Sequence, residues 1–304
     1  MSRHATSYIG RFAPSPSGPL HIGSLVTALA SWLDARAHCG QWLVRMEDVD
    51  TPRTVPGAAE TILQALQVCG LHWDGEVTVQ SQRGMAYQAA FDYLNSQHLT
   101  YACACTRKEI ADSLTQLHGP AGAHERHATL TYPGTCRNGL QGKTARAWRI
   151  RVPDISVQST DRWQGLQTQA LADVVGDFIL KRADGLWAYQ LAVVVDDTEQ
   201  GITHIVRGAD LLDSTPRQIW LQQQLGYPAP SYMHVPLVCN AIGEKLSKQT
   251  GANPLDLQNP LSELQRALQF LGLPGEGNDI SQVLATAIIH WRQRWIIVPG
   301  KLPI

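Results

Sequence analysis

The stretch Tyr8-Ile-Gly-Arg-Phe-Ala-Pro-Ser-Pro-Ser-Gly-Pro-Leu-His21-Ile-Gly23-Ser24, continued by a helical pattern and then by Trp42-Leu-Val-Arg-Met46, decides the fold. Tyr8 to Ala13 has the make-up of a short strand, and Pro14-Ser-Pro-Ser-Gly-Pro19 is too rich in breakers to continue it. From about Ile22 to His38, Leu25, Leu29, Trp32 and Leu33 fall at i, i+4, i+7 and i+8. That spacing lines one face of a helix, which Gly40 ends. Strand, loop, helix and second strand in roughly 40 residues make a βαβ unit, so the fold class is α/β with a parallel sheet.

Working outward, Thr61 to Val68 and Met85 to Asn95 add amphipathic helices. Residues 101–170 break the rhythm with a cysteine cluster, a basic island and the punctuation Gly119-Pro120 and Pro133-Gly134, and read as an inserted subdomain. The α/β pattern resumes at Asp177 to Arg182, an Ala-Asp-Gly turn, and the run Leu186 to Val195, which together read as a hairpin. The expected domains are residues 1–100, first half of the catalytic fold; 101–170, the insertion; 171–240, the second half; and 241–304, a mobile loop with a short helical tail near Leu261 to Leu271.

The 304 residues, about two domains' worth, carry 25 Lys+Arg against 26 Asp+Glu, a net charge of −1. A polycation is thereby excluded, so a nucleic-acid surface has to be local. The candidate runs from Arg126 to Pro153, with Arg126, Arg137, Lys143, Arg146, Arg149 and Arg151 and no acid. No apolar run reaches the roughly 18 residues that span a bilayer, and Met1 to Ser7 lacks a signal core. The expectation is a soluble, cytoplasmic protein with no membrane partner.

Two loops carry the chemistry. A loop that leaves a parallel strand and starts a helix offers free backbone N–H groups and a positive helix end to a phosphate. His21 sits at that start, able to donate to a phosphate oxygen, and Gly23 lets the backbone approach a base or ribose. Spacing alone fits a structural loop capped by His21 equally well. The second loop, Glu244-Lys245-Leu-Ser-Lys248-Gln249, pairs two lysines behind Gly243 and suits a polyphosphate. By itself Lys-x-x-Lys is the mark of a solvated surface.

Together, in this order, the loops change the reading. Pro-Ser-Pro-Ser-Gly-Pro-Leu-His-Ile-Gly resembles the HIGH signature of class I aminoacyl-tRNA synthetases, and Lys-Leu-Ser-Lys-Gln their KMSKS loop. The glutamyl branch is closer still, through Arg11-Phe-Ala-Pro-Ser-Pro, Arg45-Met-Glu-Asp-Val-Asp50, Asp196-Asp197, Gly201 to Gly208 and Ser214-Thr-Pro-Arg-Gln218. The resemblance runs from about Tyr8 to Gly251. It departs at Ser24, Leu246 and Gln249, none of which removes His21, Lys245 or Lys248. It implies a Rossmann-type class I core that joins L-glutamate to ATP, with Mg²⁺ accompanying the nucleotide. His21, Gly23, Lys245 and Lys248 would be catalytic, and His21, Gly23, Ser24 and Lys248 would hold ATP. Glutamate would meet Arg11, Ala13, Ser15, Glu47, Tyr189 and Arg207. A carboxylate is already ionised at neutral pH, so the chemistry asks for alignment and charge cover rather than a base.

Cys103 and Cys105 project from one side of an extended segment and, with Cys136, leave a tetrahedral zinc one ligand short. By residue type His118, His124 or His127 would complete it, whereas the resemblance points to Tyr132. Such a site would be structural, one zinc per chain, pinning an insertion too small for its own core. Cys39, Cys69 and Cys239 stand singly in apolar contexts and read as buried thiols. Only 56 residues follow Lys248, short for an anticodon-binding domain. The resemblance with that feature implies transfer of glutamate to queuosine in the anticodon of tRNA(Asp). The competing readings are a glutamate ligase with another acceptor and a non-catalytic zinc-containing RNA-binding module.

Overall fold

The computed structural model describes residues 7–118, 131–239, 246 and 253–296, without the side chains of 114–118. Along the chain run β1 (Ile9–Phe12), α1 (Ile22–Ala37), β2 (Gln41–Met46), α2 (Ala58–Val68), β3 (Thr78–Val79), α3 (Gly84–Ser96), β4 (Thr100–Cys103) and α4 (Arg107–His118). Then come β5 (Ala147–Ile150), β6 (Ser156–Asp161), β7 (Gly165–Ala170), α5 (Leu171–Val174), β8 (Ile179–Lys181), α6 (Tyr189–Glu199), β9 (His204–Gly208), α7 (Thr215–Leu225), β10 (Ser231–Val235), α8 (Pro260–Phe270) and α9 (Ile280–Trp295).

The opening βαβ unit forms as read: β1 and β2 pair in parallel from Ile9↔Gln41 to Phe12↔Val44, and β3 extends them beyond β2. Leu25, Leu29 and Leu33 of α1 are fully buried, each worth roughly 1.5–3 kcal/mol of burial. They share a core with β1, β2, α2 and the C-terminal α8 and α9. Alongside β1 the Thr203 N–H donates to the Ile9 carbonyl at 2.9 Å, leading β9 in beside it. β9 and β10 are parallel, and β10 carries the antiparallel hairpin β6–β7 through Tyr232↔Asp161. Thus residues 156–170, part of the expected insertion, hydrogen-bond to the sheet that holds β9. The antiparallel sheet β4-β5-β8 is separate in its hydrogen bonding; Cys103 ends its strand β4, and Ile150 and Leu180 join it to the core around α6.

One element differs in type. The turn at residues 183–185 forms, and Arg182 donates to the Leu186 carbonyl at 2.8 Å, but the second arm stops at Ala188 and residues 189–199 are helical. Leu191-Ala-Val-Val-Val195 reads as a strand because of its β-branched run. Here it is buried on all sides, between α3 and α7, and packing overrides a propensity worth only tenths of a kcal/mol per residue. Cysteines differ as well: Cys69 is buried, but Cys39 and Cys239 are exposed. No described helix is long and apolar enough to cross a membrane.

Candidate active site

A cavity of about 720 Å³ opens between the C-terminal ends of β1 and β2 on one side and β9 and α6 on the other. Arg11, Ala13, Ser15, His21, Gly23 and Ser24 line one part, Glu47 the floor, and Tyr189 and Arg207 the opposite wall. The nine described candidates for ATP and glutamate thus surround one space. Lys245 and Lys248 lie outside the described residues; Leu246 between them lines the cavity, its N–H on the Val238 carbonyl at 2.8 Å.

His21 caps α1. Its Nδ1 accepts the Ser24 N–H at 3.3 Å, which leaves the proton on Nε2, 3.2 Å from Ser24 Oγ. A phosphate oxygen could compete with that hydroxyl for the same proton. Gly23 has a steric reason beyond ligand approach: a Cβ there would stand 3.1 Å from the His21 ring.

Beneath the cavity lies a buried charge network. Asp197 Oδ1 accepts from Arg11 Nε at 2.9 Å and from Arg45 Nη2 at 2.8 Å, and Arg45 Nη2 also reaches Glu47 Oε1 at 3.3 Å. Next to it Asp196 accepts from Arg83, Gln80 and Tyr87. Burial alone would raise the pKa of Asp197, but Arg11 and Arg45 hold it below the usual range. For Glu47 burial wins over the same two arginines, and its pKa is raised. A cationic partner such as an ammonium group would therefore favour the carboxylate form. The opposite wall centres on Arg207, which donates through Nη1 to the Tyr189 hydroxyl at 3.4 Å and through Nη2 to Thr215 Oγ1 at 2.7 Å.

The second candidate is the cysteine cluster. The sulfurs of Cys103, Cys105 and Cys136 lie within 4.8 Å of one another. The Tyr132 hydroxyl stands 3.5 Å from Cys103 Sγ and 3.4 Å from Cys105 Sγ, and it accepts the Cys136 N–H at 2.9 Å. Four donor atoms at such separations enclose the centre of a tetrahedron with zinc–sulfur bonds of about 2.3 Å. Arg149 Nε donates to Cys103 Sγ and the Ala104 N–H to Cys136 Sγ, as outer donors to thiolates do. Gly176, at φ +63°, runs beside Tyr132, where a Cβ would meet the Tyr132 carbonyl oxygen at 2.9 Å. Of the histidine alternatives, His124 and His127 lie outside the described residues, as does the side chain of His118.

The basic island divides. Arg149 is buried with its guanidinium 3.8 Å over the Tyr132 ring, so it is not part of a solvent-facing basic surface. Arg137 pairs with Asp177, and Lys143 with Glu109. Arg151 stacks on Tyr101 and donates to the Arg137 carbonyl, Arg146 is exposed, and Arg126 is outside the described residues.

The sequence reading assigned no role to Arg45, Asp196 or Asp197, yet two adjacent acids inside an apolar run are a buried-partner signal. Asp161 and His234, behind Arg207, had no local signal, being 73 residues apart.

Comparison with known proteins bears on these sites. Residues 9–260 match the family of class I tRNA synthetases (E and Q), catalytic domain. A protein of Burkholderia cenocepacia (strain HI2424) named glutamyl-Q tRNA(Asp) synthetase is 60 % identical over 295 residues, 95 % of this chain and 97 % of that one. A protein of the same name from Cupriavidus metallidurans is 59 % identical over 290 residues, 94 % of this chain and 92 % of that one. Among solved structures, a glutamate–tRNA synthetase from Elizabethkingia anophelis superposes with a TM-score of 0.69 at 29 % identity, over 81 % of this chain. This chain spans about half of that one, 53 %.

Proposed function

The chain belongs to the class I tRNA synthetases of the E and Q type, within the glutamyl-Q tRNA(Asp) synthetase family, and from that premise we propose that it activates L-glutamate with ATP and transfers it to queuosine of tRNA(Asp). The observation that carries the reading is the single cavity lined by Arg11, Glu47, Tyr189 and Arg207 on the amino-acid side and by His21, Gly23 and Ser24 at the start of α1. Arg11 and Arg207 offer guanidinium donors to two carboxylates, and Glu47 an acceptor for the ammonium. An oxygen of the glutamate α-carboxylate bonds to the α-phosphorus of ATP, and pyrophosphate leaves. A queuosine hydroxyl then attacks the acyl carbon, losing its proton as AMP departs. His21 Nε2–H and the α1 N-terminus cover phosphate charge from one side, Lys245 and Lys248 from the other. Mg²⁺ would travel with ATP and lower the charge on its phosphates.

A structural zinc fits Cys103, Cys105, Cys136 and Tyr132, where it would cross-link β4 to the segment before β5. The exposed Arg146 and Lys143 beside it would meet RNA phosphates, making transfer fall with salt more steeply than activation. The test uses labelled glutamate with tRNA(Asp) from cells with and without queuosine. Labelling of the queuosine form alone, unaffected by removal of the 3′-terminal adenosine, is expected. Equal labelling of both would overturn the acceptor, and absence of glutamate-dependent ATP–pyrophosphate exchange would overturn the chemistry.

A further inference from the structure

Three neighbouring strands carry a buried row of polar side chains, of which the reaction as described uses only Arg207. Arg207 on β9 and His234 on β10 are register partners, and Asp161 ends β6 on the far side of β10. Their exposures are 4 %, 0 % and 3 %. Arg207 Nε donates to His234 Nε2 at 2.9 Å, and His234 Nδ1 lies 2.6 Å from Asp161 Oδ2. The other oxygen, Asp161 Oδ1, accepts the N–H groups of Trp163, Gln164 and His234 at 3.0, 2.8 and 3.1 Å.

We propose that Asp161 and His234 are positioning residues for Arg207: the aspartate holds the imidazole in its Nδ1–H form, and the bare Nε2 aims the guanidinium at the substrate carboxylate. The inference rests on reading Arg207 as a glutamate-binding residue. The donor count leaves one arrangement. An arginine has no lone pair to offer, so Nε2 has to be the acceptor and the ring proton has to sit on Nδ1. Thr215 Oγ1, 3.1 Å from the same Nε2, accepts the Arg207 Nη2–H and closes the corner. Burial, with Arg207 adjacent, lowers the pKa of His234 in spite of Asp161, in keeping with a neutral ring. The anchor is rigid from outside too, since Arg162 next to Asp161 binds Asp34 of α1 at 2.6 and 2.8 Å.

The arrangement makes an isosteric change informative. In Asp161→Asn the three backbone donors claim the amide oxygen, and the NH₂ group faces His234 Nδ1. The ring then has to carry its proton on Nε2, against the Arg207 N–H. Glutamate-dependent ATP–pyrophosphate exchange should show the KM for glutamate raised about tenfold or more, with the KM for ATP within about twofold of wild type. His234→Gln, which can return an oxygen near Nε2, should keep more glutamate affinity than His234→Leu. Independently of how any variant folds, nitrogen-15 NMR of the wild-type protein at neutral pH should find His234 protonated on Nδ1 only. An Nε2–H tautomer or an imidazolium there would overturn the proposal, as would wild-type KM values for glutamate in both Asp161→Asn and His234→Leu. Arg207→Ala separates the layers: an unchanged KM for glutamate removes the premise, whereas a raised KM beside an unaffected Asp161→Asn removes the relay alone.

Discussion

Under the cavity, Arg11, Arg45, Asp196, Asp197 and Glu47 pair among themselves at the edge of two large apolar clusters, one around α1 and one around α6. In the cysteine module Cys103, Tyr132 and Cys136 are themselves three of the six buried residues of their cluster. Both regions bury polar atoms, but the first supplies each charge with an opposite charge. The second gathers donors of one kind around a common centre, with little apolar surface to hold them there. A cluster of the first sort is kept by the fold; on the proposed reading, one of the second sort is held together by the cation its ligands would share.

The largest expected effect breaks the second region alone. The purified protein should carry about one zinc per chain, and Cys105→Ser should lose it. Hydrogen exchange should then quicken across residues 101–118 and 131–152 while β1 and α1 keep their protection. Zinc retained in Cys105→Ser, or no zinc in protein prepared without chelators, would erase the contrast. Tyr132→Phe sharpens it, because weaker zinc retention against a competing chelator supports the phenol as fourth ligand and undiminished retention supports a histidine.

Next in size is the floor. Asp197→Ala leaves Arg11 and Arg45 facing each other across the place of a shared partner, and removing one member of a buried pair costs about 3–5 kcal/mol. The melting temperature should fall with the zinc content unchanged. A loss under about 1 kcal/mol would mean that water reaches this network as it reaches a surface pair. Comparable in energy, but confined to the reaction, is Lys248→Ala, which should cut glutamyl-adenylate formation about 10²-fold with melting unchanged. Near-normal exchange would remove that lysine from the charge cover.

How far the two regions were legible in sequence follows the same division. The loop from Pro14 to His21 and the helix after it could be read because their signals are local: breakers, then apolar residues at helical spacing. The cage was legible as three cysteines, since i, i+2 spacing on a strand already brings two sulfurs together. Tyr132 came only with the resemblance, because a phenol carries no ligand signature of its own. The α6 segment was misread because Val193, Val194 and Val195 favour a strand locally, and only α3 and α7 on either side make the helix the better burial. Arg149 counts toward the basic island by its charge alone, but Cys103 and Tyr132 cover its side of β5. The row Asp161–His234–Arg207 is a product of strand order, which no window along the chain contains.

The smallest effect concerns acid, and it arises at a histidine beside the apolar core around α1. The Tyr8 ring packs against both His38 and His204, with centroids 4.6 and 4.2 Å away, and its hydroxyl donates to Asp34 at 2.6 Å. Burial lowers the His204 pKa to about 4, the nearby Asp34 only partly opposing it. In the unfolded chain the ring takes its proton near pH 6.5, so between these values the unfolded state binds more protons than the folded one. Stability is therefore complete above about pH 6.5, falls as pH drops through that window and levels off below about 4. The imidazole is only partly buried, so solvent screening leaves about 1 kcal/mol of the full linkage. His204→Gln should flatten the slope of stability against pH between 6.5 and 4.5, a range in which Asp34 and Asp161, both held below the usual carboxylate range, remain charged. Denaturant unfolding at a series of pH values checks it: an unchanged slope in the variant would move the acid sensitivity away from the Tyr8 stack.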